Sequence, residues 1–388
     1  MGLFTPPPIV FPRGELRKKL RQNEGGQLRN LITGVYLDAD GEIPRLAALT
    51  DMADVVRTEP SSPDYTDTLG DPTFREALPA QMELQRTLVA QTIGGTGALH
   101  LILRLAKHLS PTSRLHLPHP TWSNHHHIAR SIGMPTTSVP WQADATGRLD
   151  LKAVLRAVEL AGPEDLFLLH AACHNPSGLD PNPEAWRQIL QAIAARGAIP
   201  LLDLAFWGYK AHPSEELAAI RQQLAPDQRA IWTVSLGKTF SWYNARLGAL
   251  ILQGPDTWRT DMTPHLQWAI RTTWSSPPTY QARVVSRLWG NDAARTAWLN
   301  HLAAIRSRLA QLRQTTATAL APHLNPDTVH QMRERVGLFA SLHLTPTEVH
   351  ELETTHGLIV GPGGLFNLST TWGDGLDRLQ RALAERER

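Results

Sequence analysis

Six apolar runs of strand length fall between residues 87 and 252 with helical patterns between them, and no other feature limits the fold so tightly. The runs are Thr87–Ile93, Arg114–Leu117, Leu166–Ala172, Ile199–Leu204, Ala230–Leu236 and Leu247–Leu252. Most are apolar throughout rather than alternating, as strands buried on both faces are. Between them lie Ala98–His108, Asn124–Gly133, Asp150–Leu160, Pro183–Arg196 and Glu215–Leu224, whose apolar residues recur every three and four positions. The pattern predicts an α/β fold: an open, mainly parallel sheet with helices on both faces. Ligands in such sheets bind beyond the carboxyl ends of the strands. Residues just past each run are therefore the candidates for chemistry.

After Pro277-Pro278 the pattern changes. A long helical stretch, Asp292–Leu320, leads to a strand (Leu338–Leu342), a helix (Pro346–Thr355), a strand (Leu358–Val360) and a last helix (Leu376–Glu387), a small α+β unit. The start, TPPPIVFP, reads as an extended arm. The expected division is an arm at 1–45 packing on the small domain, a large domain at 46–290 and the small domain at 291–388. At 388 residues, 42% apolar and 19% charged, the composition is that of an ordinary globular protein. A net charge of +2 without a basic tract points to neither nucleic acid nor an anionic membrane. One cysteine, Cys173, excludes an intrachain disulfide and fits a reducing compartment. The N-terminus lacks an apolar stretch of signal-peptide or membrane length, so the chain reads as cytoplasmic.

Lys238 follows the run Ala230–Leu236 and stands eight residues before Arg246. A lysine at the end of a buried strand has a desolvated, deprotonatable amine, which condensation with an aldehyde requires. Arg246 offers a guanidinium fork and Ser235 a hydroxyl, and both suit a phosphate. Gly237-Lys238-Thr239 is not the tail of a nucleotide phosphate loop, because position 232 is Trp where that loop needs glycine. Lysine for an aldehyde and arginine for a phosphate together suggest pyridoxal phosphate.

Four other strand ends carry matching chemistry. Gly94-Gly95-Thr96-Gly97 opens a helix whose first amides can bind phosphate; the third glycine of a dinucleotide fingerprint is absent, with His100 in its place. Trp122, in Pro120-Thr121-Trp122-Ser123-Asn124-His125, can lie flat on a planar ring. Adjacent histidines 125–127 point in different directions on a helix, and His350-Glu351 with His356 misses the zinc-protease spacing, so no metal site is expected. Asn175, in the turn His174-Asn175-Pro176-Ser177-Gly178, can donate to a phenolate oxygen. Asp203 at the end of Ile199–Leu204 is costly to bury unless paired, and a protonated pyridine nitrogen is a suitable partner.

These segments resemble the fold-type I pyridoxal-phosphate transaminases, specifically the aspartate and aromatic amino acid aminotransferase group, over nearly the whole chain. Asn30 to Tyr36, with Gly34, is similar to that group's N-terminal glycine segment, and Tyr65 with Gly70 to Phe74 to its interface tyrosine segment. HNPSGLDP at 174–181 and the stretch Lys238 to Gly248 are close matches. The resemblance implies that Lys238 bonds the cofactor aldehyde and that Asp203, with His125 behind it, pairs the ring nitrogen. Asn175 meets the phenolic oxygen and Trp122 covers the ring. Gly95, Thr96, Ser235 and Arg246 hold the phosphate, aided by Tyr65 from a second subunit. Arg271, in IRTTWSSPP, crosses the interface of a homodimer to a distal substrate carboxylate, and Gly34 and Asn175 border the substrate.

Two positions depart from the group. Gly364-Leu365-Phe366-Asn367 stands where its members carry Gly-Arg-x-Asn, and no arginine lies between Arg335 and Arg378. Leucine cannot replace a bidentate guanidinium clamped on a carboxylate. Phe206 replaces a tyrosine that bonds the phenolic oxygen. The expected activity is an aminotransferase for small amino donors and keto acceptors, with atypical carboxylate recognition. The alternatives are a divergent pyridoxal-phosphate lyase, decarboxylase or oxidase, and a catalytically silent relative, against which Lys238, Asp203 and Arg246 weigh.

Overall fold

The computed structural model describes residues 28–385 apart from 61, 63, 144–146 and 226. The proline-rich stretch expected as an arm lies outside these residues. Strand β1 (Arg29–Asn30) pairs in parallel with Leu358–Ile359, which ties the first described segment to the C-terminal part of the chain.

Seven strands form the main sheet: β2 (Thr87–Ile93), β3 (Leu115–His119), β4 (Thr136–Pro140), β5 (Leu166–His170), β6 (Ile199–Leu204), β7 (Ala230–Ser235) and β8 (Leu247–Gln253), in the order β2-β8-β7-β6-β5-β3-β4. Only β8 runs against its neighbours; the other pairs are parallel. Successive residues point to opposite faces. Leu168, Leu201, Ile231 and Leu250 therefore fill one apolar layer, and Leu169, Leu202, Trp232 and Ile251 the other. The edge strand β4 has no apolar run, since TTSVP buries only Val139, which is why the sequence pattern passes over it.

The expected helix Glu215–Leu224 is instead two single turns, Pro213–Glu216 and Ala218–Arg221. Glu216 turns inward to accept from the backbone N–H groups of Gly208 (2.6 Å), Lys210 (2.7 Å) and Ala211 (3.2 Å), which interrupts the helix at Leu217. Buried aromatic rings brace the loop after β7. Trp298, from the helix Asp292–Leu320, donates from Nε1 to the Thr239 carbonyl (3.2 Å) and packs on Phe240, Trp207 and Trp289. Rings of this size bury roughly 150–250 Å² each, so the loop carrying Lys238 stands on a stiff floor. Beyond it, β9 (Phe339–Ala340), β10 (Leu358–Ile359) and β11 (Phe366–Asn367) supply two two-stranded sheets, in which β11 runs antiparallel to β9.

Candidate active site

The carboxyl ends of β2, β3, β5, β6 and β7, with the start of β8, gather the sequence-derived residues along one edge of the sheet. Register places Asp203 beside His170 on β5 and Thr233 on β7. Asp203 is 5% exposed. Its Oδ1 accepts from Thr233 Oγ1 (2.8 Å), and its Oδ2 lies 3.3 Å from His125 Nε2. The proton arrangement behind it follows from one obligate donor. Asn175 N–H donates to His170 Nδ1 (3.3 Å), so His170 carries its proton on Nε2 and gives it to Thr121 Oγ1 (3.1 Å). Thr121 then donates to His125 Nδ1 (2.8 Å), leaving His125 Nε2–H for Asp203. Burial, then the nearby His125, holds His170 down to about 3, so this ring is neutral. Burial alone would raise the Asp203 carboxyl; the hydrogen bond from His125, with that from Thr233, outweighs it and holds the group below its ordinary value. The result is a buried carboxylate with His125 and Thr233 hydrogen-bonded to it. Thr121, Thr233 and the hydrogen-bonding role of His170 had no signal in the sequence.

A second cluster lies where β2, β7 and β8 meet. Gly94 has φ +66°, and a Cβ there would sit 2.6 Å from Arg246 Nη2. A Cβ on Gly95 already falls 3.0 Å from Ser235 Cβ. The glycines thus let the first turn of the helix Gly94–Leu109 close onto Ser235 and Arg246. Arg246 donates to the Tyr243 carbonyl (3.3 Å) and has no carboxylate partner among the described residues. The hydroxyls of Thr96 and Ser235 make no hydrogen bond among the described residues. Helix-start amides, two hydroxyls and an unmatched guanidinium form a donor set with no acceptor, which fits a phosphate.

Lys238 sits half-buried in the turn Leu236–Thr239, its Nζ 4.8 Å from the centroid of the Phe206 ring. Phe206 is itself edge-on to Phe339 at 6.3 Å, so the wall beside the amine is aromatic and apolar. Trp122 is half-buried and edge-on to His125 at 5.2 Å. Gly34 lies in a segment held by Asn367, whose Nδ2 donates to the carbonyls of Thr33 (2.8 Å) and Val35 (2.7 Å). Leu365 is half-buried and packs on the main core. The residues not drawn together within one chain are Tyr65, 86% exposed, and Arg271, exposed and bonded to Ser275 Oγ at 2.9 Å. Among the described residues no three His, Cys, Asp or Glu side chains are grouped as metal ligands, and no helix is long and apolar enough to cross a membrane.

The chain matches the family described as aminotransferase class I and II across residues 27–374. It belongs to that family. This aminotransferase is 31% identical to the aromatic-amino-acid aminotransferase of Pseudomonas aeruginosa over 366 residues, 92% of this chain and 91% of that one. It is 30% identical to the aspartate aminotransferase of Escherichia coli over 300 residues, 75% of this chain and 76% of that one. The crystal structure of the Burkholderia pseudomallei aromatic-amino-acid aminotransferase, covalently bound to pyridoxal phosphate, matches with a TM-score of 0.92 and 26% identity over 99% of both chains. The fold is fold-type I, and the protein is a pyridoxal-phosphate-dependent aminotransferase that acts on small amino and keto compounds. The donor set around Gly95 and the buried Asp203 carboxylate fit that cofactor's phosphate and ring nitrogen.

Proposed function

We propose that this aminotransferase prefers an amine, or an amino acid whose carboxylate is distal to the reacting carbon, over ordinary α-amino acids. The observation that carries the reading is Leu365 where a carboxylate-binding arginine is expected. Three arginines of the C-terminal part of the chain are committed to backbone carbonyls. Arg335 donates to the carbonyls of Ser177 (2.9 Å) and Gly147, and Arg308 to those of Leu37 (2.8 Å) and Asp38 (2.9 Å). Arg313 is buried on the carbonyls of Met332, Gly337 and Phe339. An α-carboxylate facing Leu365 forgoes two charge-assisted hydrogen bonds, each worth roughly 1.5–3 kcal/mol. That is about 10²–10⁴ in affinity or rate.

Lys238 bonds the cofactor aldehyde in this reading. Asp203 pairs the ring nitrogen with His125 behind it, Asn175 meets the phenolic oxygen and Trp122 covers the ring. Gly95, Thr96, Ser235 and Arg246 hold the phosphate. Bound there, pyridoxal phosphate supplies an aldehyde and an electron-withdrawing ring that acidifies a substrate C–H bond. Lys238 Nζ, when neutral, takes that proton and returns it. Gly34 and Asn175 border the substrate. A homodimer completes the site, with Tyr65 reaching the second copy's phosphate and Arg271 its distal carboxylate; the exposure of both on one chain supports this. The large domain spans 46–290 and the small domain 291–388, and the enzyme works in the cytoplasm.

Borohydride reduction and peptide mapping should place the cofactor on Lys238. The substrate reading is tested by steady-state comparison of aspartate, tyrosine, a simple amine and an ω-amino acid. The relatives' names point to the first two, and the Leu365 argument to the last two. A kcat/KM of about 10⁴ M⁻¹s⁻¹ or more for aspartate or tyrosine, within the usual enzyme range, overturns it.

A further inference from the structure

The segment carrying Gly34 belongs mechanically to the C-terminal part of the chain. Asn367, 0% exposed, holds the Thr33 and Val35 carbonyls, Ser369 Oγ accepts from Leu37 N–H (3.0 Å), and Arg308 donates to the Leu37 and Asp38 carbonyls. A hydrogen bond joins the stretch 33–37 to the loop that carries Lys238 and Arg246. It runs from Tyr36 N–H to Tyr243 Oη at 2.8 Å.

A second phenol braces the same loop: Tyr209 Oη donates to the Lys238 carbonyl at 3.2 Å. Burial raises both phenols above their ordinary value, so both keep their protons. Tyr243 thus joins the backbone beside Gly34 to the Lys238 loop, and Tyr209 holds that loop at Lys238 itself. Neither Tyr209 nor Tyr243 stands among the residues assigned to cofactor or substrate.

We propose that Tyr243 is a positioning residue that holds the Gly34 segment against the loop carrying Lys238. The inference rests on the reading that Gly34 borders the substrate. Tyr243→Phe removes the acceptor of a buried N–H, and Tyr209→Phe leaves that acceptor in place. Hydrogen–deuterium exchange of the cofactor-loaded enzyme without substrate should show peptides covering 33–37 exchanging roughly tenfold faster in Tyr243→Phe and near wild type in Tyr209→Phe, as expected for one lost buried hydrogen bond. Kinetics with tyrosine and with an ω-amino acid, whichever turns over, should show KM raised about tenfold in Tyr243→Phe with kcat changed less than threefold. Unchanged exchange at 33–37 in Tyr243→Phe overturns the proposal, and so does a fall in kcat at constant KM, the mark of general support for Lys238. If Tyr243→Phe fails to fold, Asn367→Ala should speed exchange of the same peptides while the Lys238 turn stays protected; exchange rising equally in both overturns it. The exchange readout uses no substrate, so it stands apart from the substrate assignment.

Discussion

Asp203→Asn separates charge from structure at the centre of the site. The replacing amide can keep both of Asp203's contacts: its oxygen accepts from His125 Nε2–H, now 3.3 Å from Oδ2, and its NH2 donates to Thr233 Oγ1, now 2.8 Å from Oδ1. Folding should therefore change by no more than about 1 kcal/mol, the scale of one neutral hydrogen bond. What disappears is a buried negative charge, the one proposed to pair the ring nitrogen. A hydrogen bond to a charged partner contributes roughly 1.5–3 kcal/mol, so kcat/KM should fall about 10–150-fold. The carboxyl is held below its ordinary value of 3.8, so it is ionised above that pH and the ratio of wild type to variant should stay flat from about pH 5 to 9. The assay is steady-state kinetics across that range, with unfolding midpoints measured in parallel. Asp203→Ala is the control; it orphans His125 Nε2–H and the Thr233 hydroxyl and should cost about 1–3 kcal/mol for each. A kcat/KM for Asp203→Asn within about twofold of wild type refutes the reasoning, as does destabilisation equal to that of Asp203→Ala.

Phe206→Tyr should lower the pH midpoint of the bound cofactor's visible absorbance, because a donor to the phenolic oxygen favours its anionic form; an unchanged or raised midpoint counts against the assignment of Phe206. Sedimentation should find a dimer, and mixing an Arg271→Ala chain with a Lys238→Ala chain should restore part of the activity each lacks, since the mixed dimer has one site with both groups; a fully active species near 43.0 kDa contradicts this. Burial, outweighing three backbone N–H donors, raises Glu216 from 4.5 to about 7, so between those values the folded state holds a proton that the unfolded chain has lost. Stability from this group is complete below about pH 4.5 and falls as pH rises to 7, by about 3 kcal/mol at 1.36 kcal/mol per unit. Glu216→Gln should flatten that slope in unfolding measured at pH 5 and 7, and an identical slope rejects the argument.

The sheet was legible because its central strands are buried on both faces, which leaves an uninterrupted apolar run such as Leu166–His170. The edge strand β4, with one buried side chain, leaves none. The helix Ala47–Thr58 has no side-chain cap and buries only Ala48, Leu49 and Val56, so its pattern is faint. At the site, Lys238, Asp203 and Asn175 were legible because each lies at or just past the carboxyl end of a strand, where topology alone makes a residue face the ligand edge. The hydrogen bonds that orient them were not. Thr233 meets Asp203 from a neighbouring strand, and Tyr36 meets Tyr243 across 207 residues. Such pairings exist only once the register and the docking of the C-terminal part are set, and no local spacing encodes them.

Leu365→Arg tests most directly the proposal that Leu365 turns this aminotransferase away from α-carboxylates. The measurement is the ratio of kcat/KM for tyrosine to that for an ω-amino acid, in wild type and variant. Restoring two charge-assisted hydrogen bonds should raise that ratio about 10²-fold or more. A wild-type ratio already favouring tyrosine, with no rise in Leu365→Arg, contradicts the account.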